Sequence, residues 1–415
     1  MRCFLSFAEK KIECIVRAAA DGQISSKDAG RRLDMSERHI RRLKTKIKNG
    51  LSVLHGSCGK QPGNAFSAEF KQRIVDLYSC FRFNGSNFLH FKELLAQLHN
   101  ITISYSALRI ILNTAGIKSP KKQKKRKKHP SRPPKEFRGE MLQTDASSHQ
   151  FFLPFGDTNY YALHGFIDDA TGIVTGLHMT RNECTDGYFE AFRQTLVNFG
   201  CPASIYADGS SIFFSIKRND LGLDEILAGI DERKTQFGNI CDELGIELVH
   251  ARSSQAKGKI ERLWQTLQSR LITEFKVRNI STLAEANNFL APFLLDFNKK
   301  FGKEPINEKS MFVALPKSVK LDTLLCLRYP RKLDGGLCFS LNNTIFSVPE
   351  CNPKAQVEVL ISKRIGIKVM YKNQLFDVTP LLDADKKPVT QTKAKEIFTN
   401  FIQYYMLKNE RLSSA

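Results

Sequence analysis

Residues 246–271, IELVHARSSQAKGKIERLWQTLQSRL, decide how the rest of the chain is read. Ile246 to His250 form a short run suited to a strand. Residues 256–275 then read as a long helix, because Ile260, Leu263, Trp264, Leu267 and Leu271 recur at helical spacing and make one buried stripe. Glu261 sits about 100° from the centre of that stripe, in line with Lys257, Gln265 and Gln268. A carboxylate there can point along a sheet edge instead of into core or solvent.

Upstream, residues 140–145 (EMLQTD) read as a strand that 148–153 extend. Residues 159–167 and 172–179 read as strands joined by the turn Asp168-Asp169-Ala170-Thr171-Gly172. Residues 183–199 are helical, with Phe189, Phe192, Leu196 and Phe199 near one face. Residues 203–207 form a short strand that runs into Asp208-Gly209, and 234–244 are helical. The order β-β-β-α-β-α-β-α matches a ribonuclease-H-like core. In that order Asp145 ends the first strand, Asp208 ends the fourth, and Glu261 lies in the first turns of the last helix.

Three carboxylates converging at one point repel, and they cannot all stay charged without a cation. Mg²⁺ is hard, prefers oxygen ligands and keeps several waters. Two such ions about 3.5–4 Å apart stabilise the attacking and leaving oxygens of an in-line phosphoryl displacement. Asp145, Asp208 and Glu261 are therefore the candidate catalytic and metal-ligating residues, for two Mg²⁺ ions, with Mn²⁺ possible. Other acids have plainer readings. Asp168 and Asp169 are turn formers, Asp157 sits in a turn, and Asp242 and Glu243 face solvent on a helix. Glu274 lies about 20 Å along the helix from Glu261 and cannot share its metal. His149 and His250 lie close to two site strands, where structural hydrogen bonding is the simpler role.

MLQTDAS, the IDDATG turn, SIYADGSSIF and the 246–271 stretch together resemble the integrase core of DDE transposases, and among them the ISNCY-type transposases of bacterial insertion sequences. SERHIRRLKTKIKNG followed by LHG resembles the same group, as does HFKELLAQLHNITISYSALRIILNTAGI. The resemblance spans residues 9–380. It implies a DNA transposase that cuts transposon ends and joins them to target DNA, and it carries Asp145, Asp208 and Glu261 over as metal ligands. The chain departs from the pattern in one place. Asp208 and Glu261 have 52 residues between them, longer than is usual in the integrase families, and the surplus, 211–233, reads as a helical excursion.

Residues 8–20, 25–33 and 37–49 read as three helices, with Ser25 or Ser26 capping the second and Ser36 the third. The third buries Ile40, Leu43 and Ile47 and presents Arg38, Arg41, Arg42 and Thr45 on its other side, the pattern of a helix-turn-helix reader that lays a basic helix in the major groove. A second helical block, 67–81, 86–99 and 104–115, reads either as another such reader or as a packing module. Residues 118–138 hold eleven Lys or Arg against the single acid Glu136. Self-repulsion and prolines forbid a packed core there, so Lys124, Lys125, Arg126 and Lys127 are candidate phosphate contacts on a basic arm. Lys257 and Arg262 are further candidates.

After a helix at 281–300, the segments LCLRYPRKL, GLCFSLNNTIFSVP, QVEVLISKR and GIKVMYKNQLFDV read as strands of a small β-barrel with turns at Asn342-Asn343 and Gly366. This part resembles the C-terminal barrel of Mu-type transposases. Arg328, Arg331, Lys332, Lys363, Arg364 and Lys368 give it a basic surface. The expected organisation is α/β multidomain: an N-terminal helix-turn-helix region (1–50), a second helical domain (66–117), the basic arm (118–138), a ribonuclease-H-like integrase core (139–300), a small β-barrel (318–380) and a tail with a helix (381–415).

Composition agrees. Lys and Arg number 63 against 42 Asp and Glu, a net charge of +21, which argues against a neutral metabolic enzyme and for a polyanionic partner. No stretch approaches a membrane span, and the start lacks a secretory core. Ten scattered cysteines without a CxxC pair make neither a zinc ribbon nor a disulfide scaffold. The expectation is a DNA transposase in the bacterial cytoplasm, associated with the nucleoid, acting on double-stranded DNA as a homodimer or higher oligomer. A DNA-binding regulator with an inactive core and a ribonuclease-H-like nuclease acting on RNA or branched DNA are the alternatives.

Overall fold

The computed structural model describes residues 7–53, 65–121, 133–214, 234–251, 258–382 and 387–411. The chain divides into two compact units, Met1–Ile74 and Val75–Ala415.

The first unit contains α1 (Phe7–Ala20), α2 (Ser26–Leu33) and α3 (Glu37–Lys48). Ser25 and Ser36 cap α2 and α3 by accepting from the Asp28 and His39 N–H groups. Val16, Ala19, Ala29, Ile40 and Leu43 form its core. Gly30 is required where α2 meets the following turn, since a Cβ there would lie 2.6 Å from the Met35 carbonyl oxygen.

Helix α4 (Ala68–Ser79) runs across the boundary, and α5 (Phe88–His99) and α6 (Tyr105–Thr114) follow. Polar side chains fix α5 to the helices of the central region. His90 Nε2 meets Glu274 Oε1 at 2.8 Å, and Arg270 reaches Glu93 at 2.8 Å, with Lys300 on the same carboxylate. Burial holds the His90 ring below its ordinary range, so the ring is neutral and its neighbour Glu274 is answered by Arg278 as well.

The central sheet has five strands. They are β2 (Leu142–His149), β3 (Tyr161–Asp168), β4 (Val174–Thr180), β5 (Ser204–Ala207) and β6 (Glu247–His250), in the order β4-β3-β2-β5-β6. The β2–β3 and β3–β4 pairs are antiparallel, and β2–β5 and β5–β6 are parallel. A short strand β1 (Phe137–Arg138) precedes them and pairs with β7 (Asn307–Ser310), so the end of the expected basic arm is ordered against the region that follows the core. Strand β2 runs unbroken through Asp145, which therefore lies within the strand and not at its end as expected, because the pairing with β3 continues to His149. Of the expected extension over 148–153 only Ser148 and His149 belong to it, and Phe151 and Phe152 turn into the core ahead of a 3-10 turn at Leu153–Phe155.

Every residue of β3 is buried, because helices cover both faces. On one face Leu142, Phe166 and Ile205 pack with α7 (Thr185–Asn198) and α8 (Gln236–Glu243). On the other, Leu163, Ile167, Leu177 and Met179 pack with α9 (Gly258–Arg278) and α10 (Leu283–Phe301). Gly176 lets α7 come close, since a Cβ there would lie 1.9 Å from the Ala191 carbonyl oxygen. The edge strand β4 is not left open. The Asn298 and Asn287 side-chain amides each bond both backbone groups of Val174 and Met179, and Gln194 does the same for Leu177. Amides from helices on both faces thus take the place of a further strand.

The corner Asp168-Asp169 is buried. Asp168 accepts from Gly139 N, Thr171 N and Thr171 Oγ1, as a turn former should. Asp169 accepts from Lys135 N and from Gln143 Nε2, and the other end of Gln143 accepts the Ile260 N–H at 3.2 Å. Gln143 therefore ties the start of α9 to the strand corner.

The expected C-terminal barrel is two separate antiparallel sheets. Strands β8 (Leu327–Lys332), β11 (Gln356–Ser362), β12 (Gly366–Tyr371) and β13 (Gln374–Asp377) pair in the order β13-β12-β11-β8. Strands β9 (Cys338–Leu341), β10 (Thr344–Ser347) and β14 (Thr379–Leu382) pair in the order β14-β10-β9. No strand pairing joins the two sheets among the described residues, so the ring of hydrogen bonds that closes a barrel is not made. Instead both contribute to one apolar cluster, and the final helix, α11 (Gln391–Arg411), lays Phe398 and Phe401 against Phe346. Asn342 and Asn343 take positive φ at the β9–β10 turn, as the sequence predicts.

Two predictions follow from this packing. Gln143→Leu should lower stability by about 1–3 kcal/mol, because Asp169 and the Ile260 N–H lose a buried partner; a chemical unfolding midpoint unchanged from wild type would contradict this. His164 on β3 is fully buried and accepts the Cys184 N–H at Nε2, and burial pushes its pKa down to about 3. The unfolded chain therefore takes up a proton near pH 6.5 that the folded chain refuses, and stability falls as pH drops from there toward 3. His164→Gln should flatten the slope of unfolding free energy between pH 5 and 7, and equal slopes would count against the assignment.

Candidate active site

Strand β2 presents two faces. Leu142, Thr144 and Ala146 turn toward α7, whereas Gln143, Asp145 and Ser147 form a polar track toward α9. Helix α9 reads that track at three points. The Ile260 N–H donates to Gln143 Oε1 at 3.2 Å, Trp264 Nε1 donates to Asp145 Oδ2 at 3.1 Å, and Gln268 Nε2 donates to Ser147 Oγ at 2.7 Å.

The parallel register of β2 and β5 pairs Leu142 with Ile205 and Gln143 with Tyr206. The pairing ends there; Asp145 and Asp208 each come two residues later, Asp208 lying one residue beyond β5 and accepting the Ser210 N–H at 3.2 Å. Neighbouring strands lie about 4.8 Å apart, and residues in register share a face. Both aspartates are half-buried. Their charges also converge on Tyr188, whose hydroxyl burial holds well above its ordinary range, with Glu183, Asp145 and Asp208 pushing in the same direction. That hydroxyl donates to Glu183 at 2.7 Å.

Glu261 is in the first turn of α9 and exposed. It is three residues from Trp264, hence about 4.5 Å along the helix and about 60° round from it. Among the described residues no three His, Cys, Asp or Glu side chains meet closely enough to hold a metal ion. Asp145 and Asp208 thus follow the last β2–β5 pair by the same two residues, and Glu261 lies one turn from the tryptophan that bonds Asp145. The donors are all carboxylate oxygens, the set a hard divalent cation takes.

The remaining sequence candidates fall as follows. Arg38, Arg41, Arg42 and Thr45 are exposed on α3, where Arg41 pairs with Glu37 and the Thr45 hydroxyl donates to the Arg41 carbonyl. Lys124, Lys125, Arg126, Lys127 and Lys257 lie outside the described residues, as do 215–233 of the expected excursion. Arg262 is exposed and donates to the Gly258 carbonyl at 2.6 Å. Glu274 is buried against His90 and pairs with the exposed Arg278, remote along α9 from Trp264 and Asp145. His250 is exposed, stacks edge-on with Phe214, and approaches Gly209 so closely that a Cβ there would lie 2.7 Å from Nε2. The basic surface of the C-terminal sheets is partly spent inside the molecule: Arg328 pairs with Glu243, Lys363 with Asp186, Arg364 with Glu190 and Lys368 with Asp377.

Sequence reasoning did not find the roles of Gln143, Trp264, Gln268 and Gly165. Trp264 was counted as plain core. The available signal was the pairing of an i, i+4, i+8 helical series with an i, i+2, i+4 strand series, both carrying hydrogen-bonding groups.

No family model matches the chain. A transposase for insertion sequence IS1202 of Streptococcus pneumoniae is 34% identical over 362 residues, covering 79% of this chain and 75% of that protein. A Sinorhizobium fredii protein named as a transposase, y4bF, is 33% identical over 333 residues, covering 79% and 69%. Among solved structures, the chain is similar to the HTLV-2 integrase catalytic core in complex with magnesium, at 17% identity and TM-score 0.27, over 40% of this chain and 89% of that one. It is also similar to a simian T-cell lymphotropic virus intasome chain, at 14% identity and TM-score 0.31, over 77% and 99%. Scores this low leave the assignment resting on the two sequence relatives. With a third of the aligned residues identical across most of both chains, this protein belongs to the insertion-sequence transposase family.

Proposed function

We propose that the chain is a DDE transposase that cuts the ends of its element and joins them to target DNA by divalent-cation-assisted phosphoryl transfer. The observation that carries the reading is the parallel pairing of β2 with β5 at Gln143 and Tyr206, two residues before Asp145 and Asp208, with α9 fastened to β2 through Trp264 and Asp145 and Glu261 one turn away.

In this reading Asp145, Asp208 and Glu261 hold the cations. Bound Mg²⁺ or Mn²⁺ supplies Lewis acidity to the attacking and leaving oxygens. The chain's own part is placement. The sheet fixes two carboxylates against the rigid polar track, and α9 brings the third on a short lever. Water is the first nucleophile and the freed 3′-hydroxyl the second, so no protein nucleophile is needed. Arg262 and Lys257, beside Glu261 in sequence, contact the phosphodiester.

The exposed face of α3, with Arg38, Arg41, Arg42 and Thr45, reads the terminal repeats as the recognition helix of a helix-turn-helix, and Lys124, Lys125, Arg126 and Lys127 add sequence-independent phosphate contacts. The proposed domain organisation is the one drawn from the sequence, with paired sheets in place of a barrel. Joining two ends calls for a dimer or higher oligomer on DNA. No helix among the described residues is long and apolar enough to cross a membrane, in keeping with a protein that works at the nucleoid.

The test is strand nicking and transfer on duplexes carrying the element's own ends, with and without Mg²⁺. Wild type should cut and join only with the cation. The Asp145→Asn/Glu261→Gln double variant should bind the same ends with unchanged affinity and show background cleavage. Undiminished Mg²⁺-dependent nicking by that variant contradicts the assignment. Binding without any transfer by wild type favours a regulator with an inactive core, and preference for an RNA–DNA hybrid in competition favours a nuclease.

A further inference from the structure

We propose that Trp264 is a positioning residue for Asp145: its indole N–H fixes one carboxylate oxygen and so sets how the other lone pairs meet a divalent cation. The proposal rests on the reading of Asp145 as a cation ligand.

Three observations converge on it. First, the indole is buried, at 6% exposure, and Nε1 donates to Asp145 Oδ2 at 3.1 Å. A buried tryptophan needs an acceptor for its N–H, but here the acceptor is the carboxylate read as a cation ligand. Second, the fold makes room for this contact. Gly165 lies directly opposite Asp145 in the β2–β3 pair, and a Cβ on it would sit 2.7 Å from Trp264 Cη2 and 3.2 Å from a Leu177 methyl. Any side chain at 165 displaces the ring that reaches Asp145. Third, the bonds at Ile260 and Gln268, four residues before and after, hold α9 on the strand, so the indole has little freedom to slide.

The chemistry favours this donor. A lysine or arginine in its place would compete with a cation for the carboxylate, whereas the indole N–H is neutral and offers a single proton. It can pin the carboxylate plane while leaving the charge for the metal. Partners of this kind around metal ligands change metal affinity by about 10–100-fold when removed.

Trp264 is the only tryptophan in the chain, so its emission reports on this site alone. The full-length protein, without DNA, is titrated with Mn²⁺, following free Mn²⁺ by electron paramagnetic resonance, for wild type, Trp264→Phe and Asp145→Asn. Wild type is also titrated with Mg²⁺ while indole emission is recorded. Trp264→Phe keeps an apolar ring and loses the N–H. It should raise the Mn²⁺ Kd about 10-fold, and its DNA cleavage should recover at high Mg²⁺. In wild type, Mg²⁺ should shift the indole emission, and Asp145→Asn should abolish the shift.

A merely structural tryptophan would lower the unfolding midpoint of the metal-free variant and leave its Kd within twofold of wild type, which overturns the proposal. If Trp264→Phe does not fold, the wild-type emission decides: Mn²⁺ bound through Asp145 with no Mg²⁺-induced shift also overturns it. If Asp145→Asn binds Mn²⁺ as tightly as wild type, the reading of the site falls, and this proposal with it.

Discussion

The interaction on which the structure depends is the lateral fastening of a helix to a strand. Four residues of α-helix advance about 6.0 Å and two residues of β-strand about 6.7 Å. Positions 260, 264 and 268 can therefore keep pace with 143, 145 and 147 over two steps, and each meeting is a hydrogen bond. The mismatch is small over this length and grows with every further step, which suits a short contact. Because the contacts are directional, α9 is fixed in register and rotation, which apolar packing of Leu263, Leu267 and Leu271 alone would leave looser. The polar track is affordable only because each of its members is partnered.

From that fastening the site follows. Parallel pairing of β2 with β5 runs to Gln143 and Tyr206, two residues before the proposed aspartate ligands, and the fastened helix carries Glu261 one turn from Trp264. Helices on both faces of the sheet supply the stiffness, and the asparagine and glutamine amides close the β4 edge. The His90–Glu274 hydrogen bond and the ion pairs of Glu93 with Arg270 and Lys300 tie the α5 helix to α9 and α10, so the far end of α9 is anchored as well.

Much of this was legible in the sequence, for identifiable reasons. The α9 stripe declares itself through period, Asp208 through its place just after β5, and serine caps mark α2, α3 and α6, whereas Asp145, expected at a strand end, lies within β2. Asn342-Asn343 marks its turn because asparagine tolerates positive φ. Other features were hidden. Residues 148–153 look strand-like, yet Phe151 and Phe152 serve a core that only the tertiary fold supplies. The C-terminal strands were readable one by one, but whether they close into a barrel depends on pairings between distant segments, which no local pattern records. Trp264 looked like core because its hydrophobic ring and its N–H give opposite signals, and the acceptor is 119 residues away. Gly165 carries no side chain to signal that its emptiness is used.

The most direct measurement of the central claim is the anomalous scattering of Mn²⁺ in crystals of the protein bound to its element's end. The account predicts metal density between the Asp145 and Asp208 carboxylates, with a Glu261 oxygen completing the shell and the scissile phosphate alongside. Metal density elsewhere, or bound at the aspartates with Glu261 turned to solvent and the phosphate remote, would contradict it.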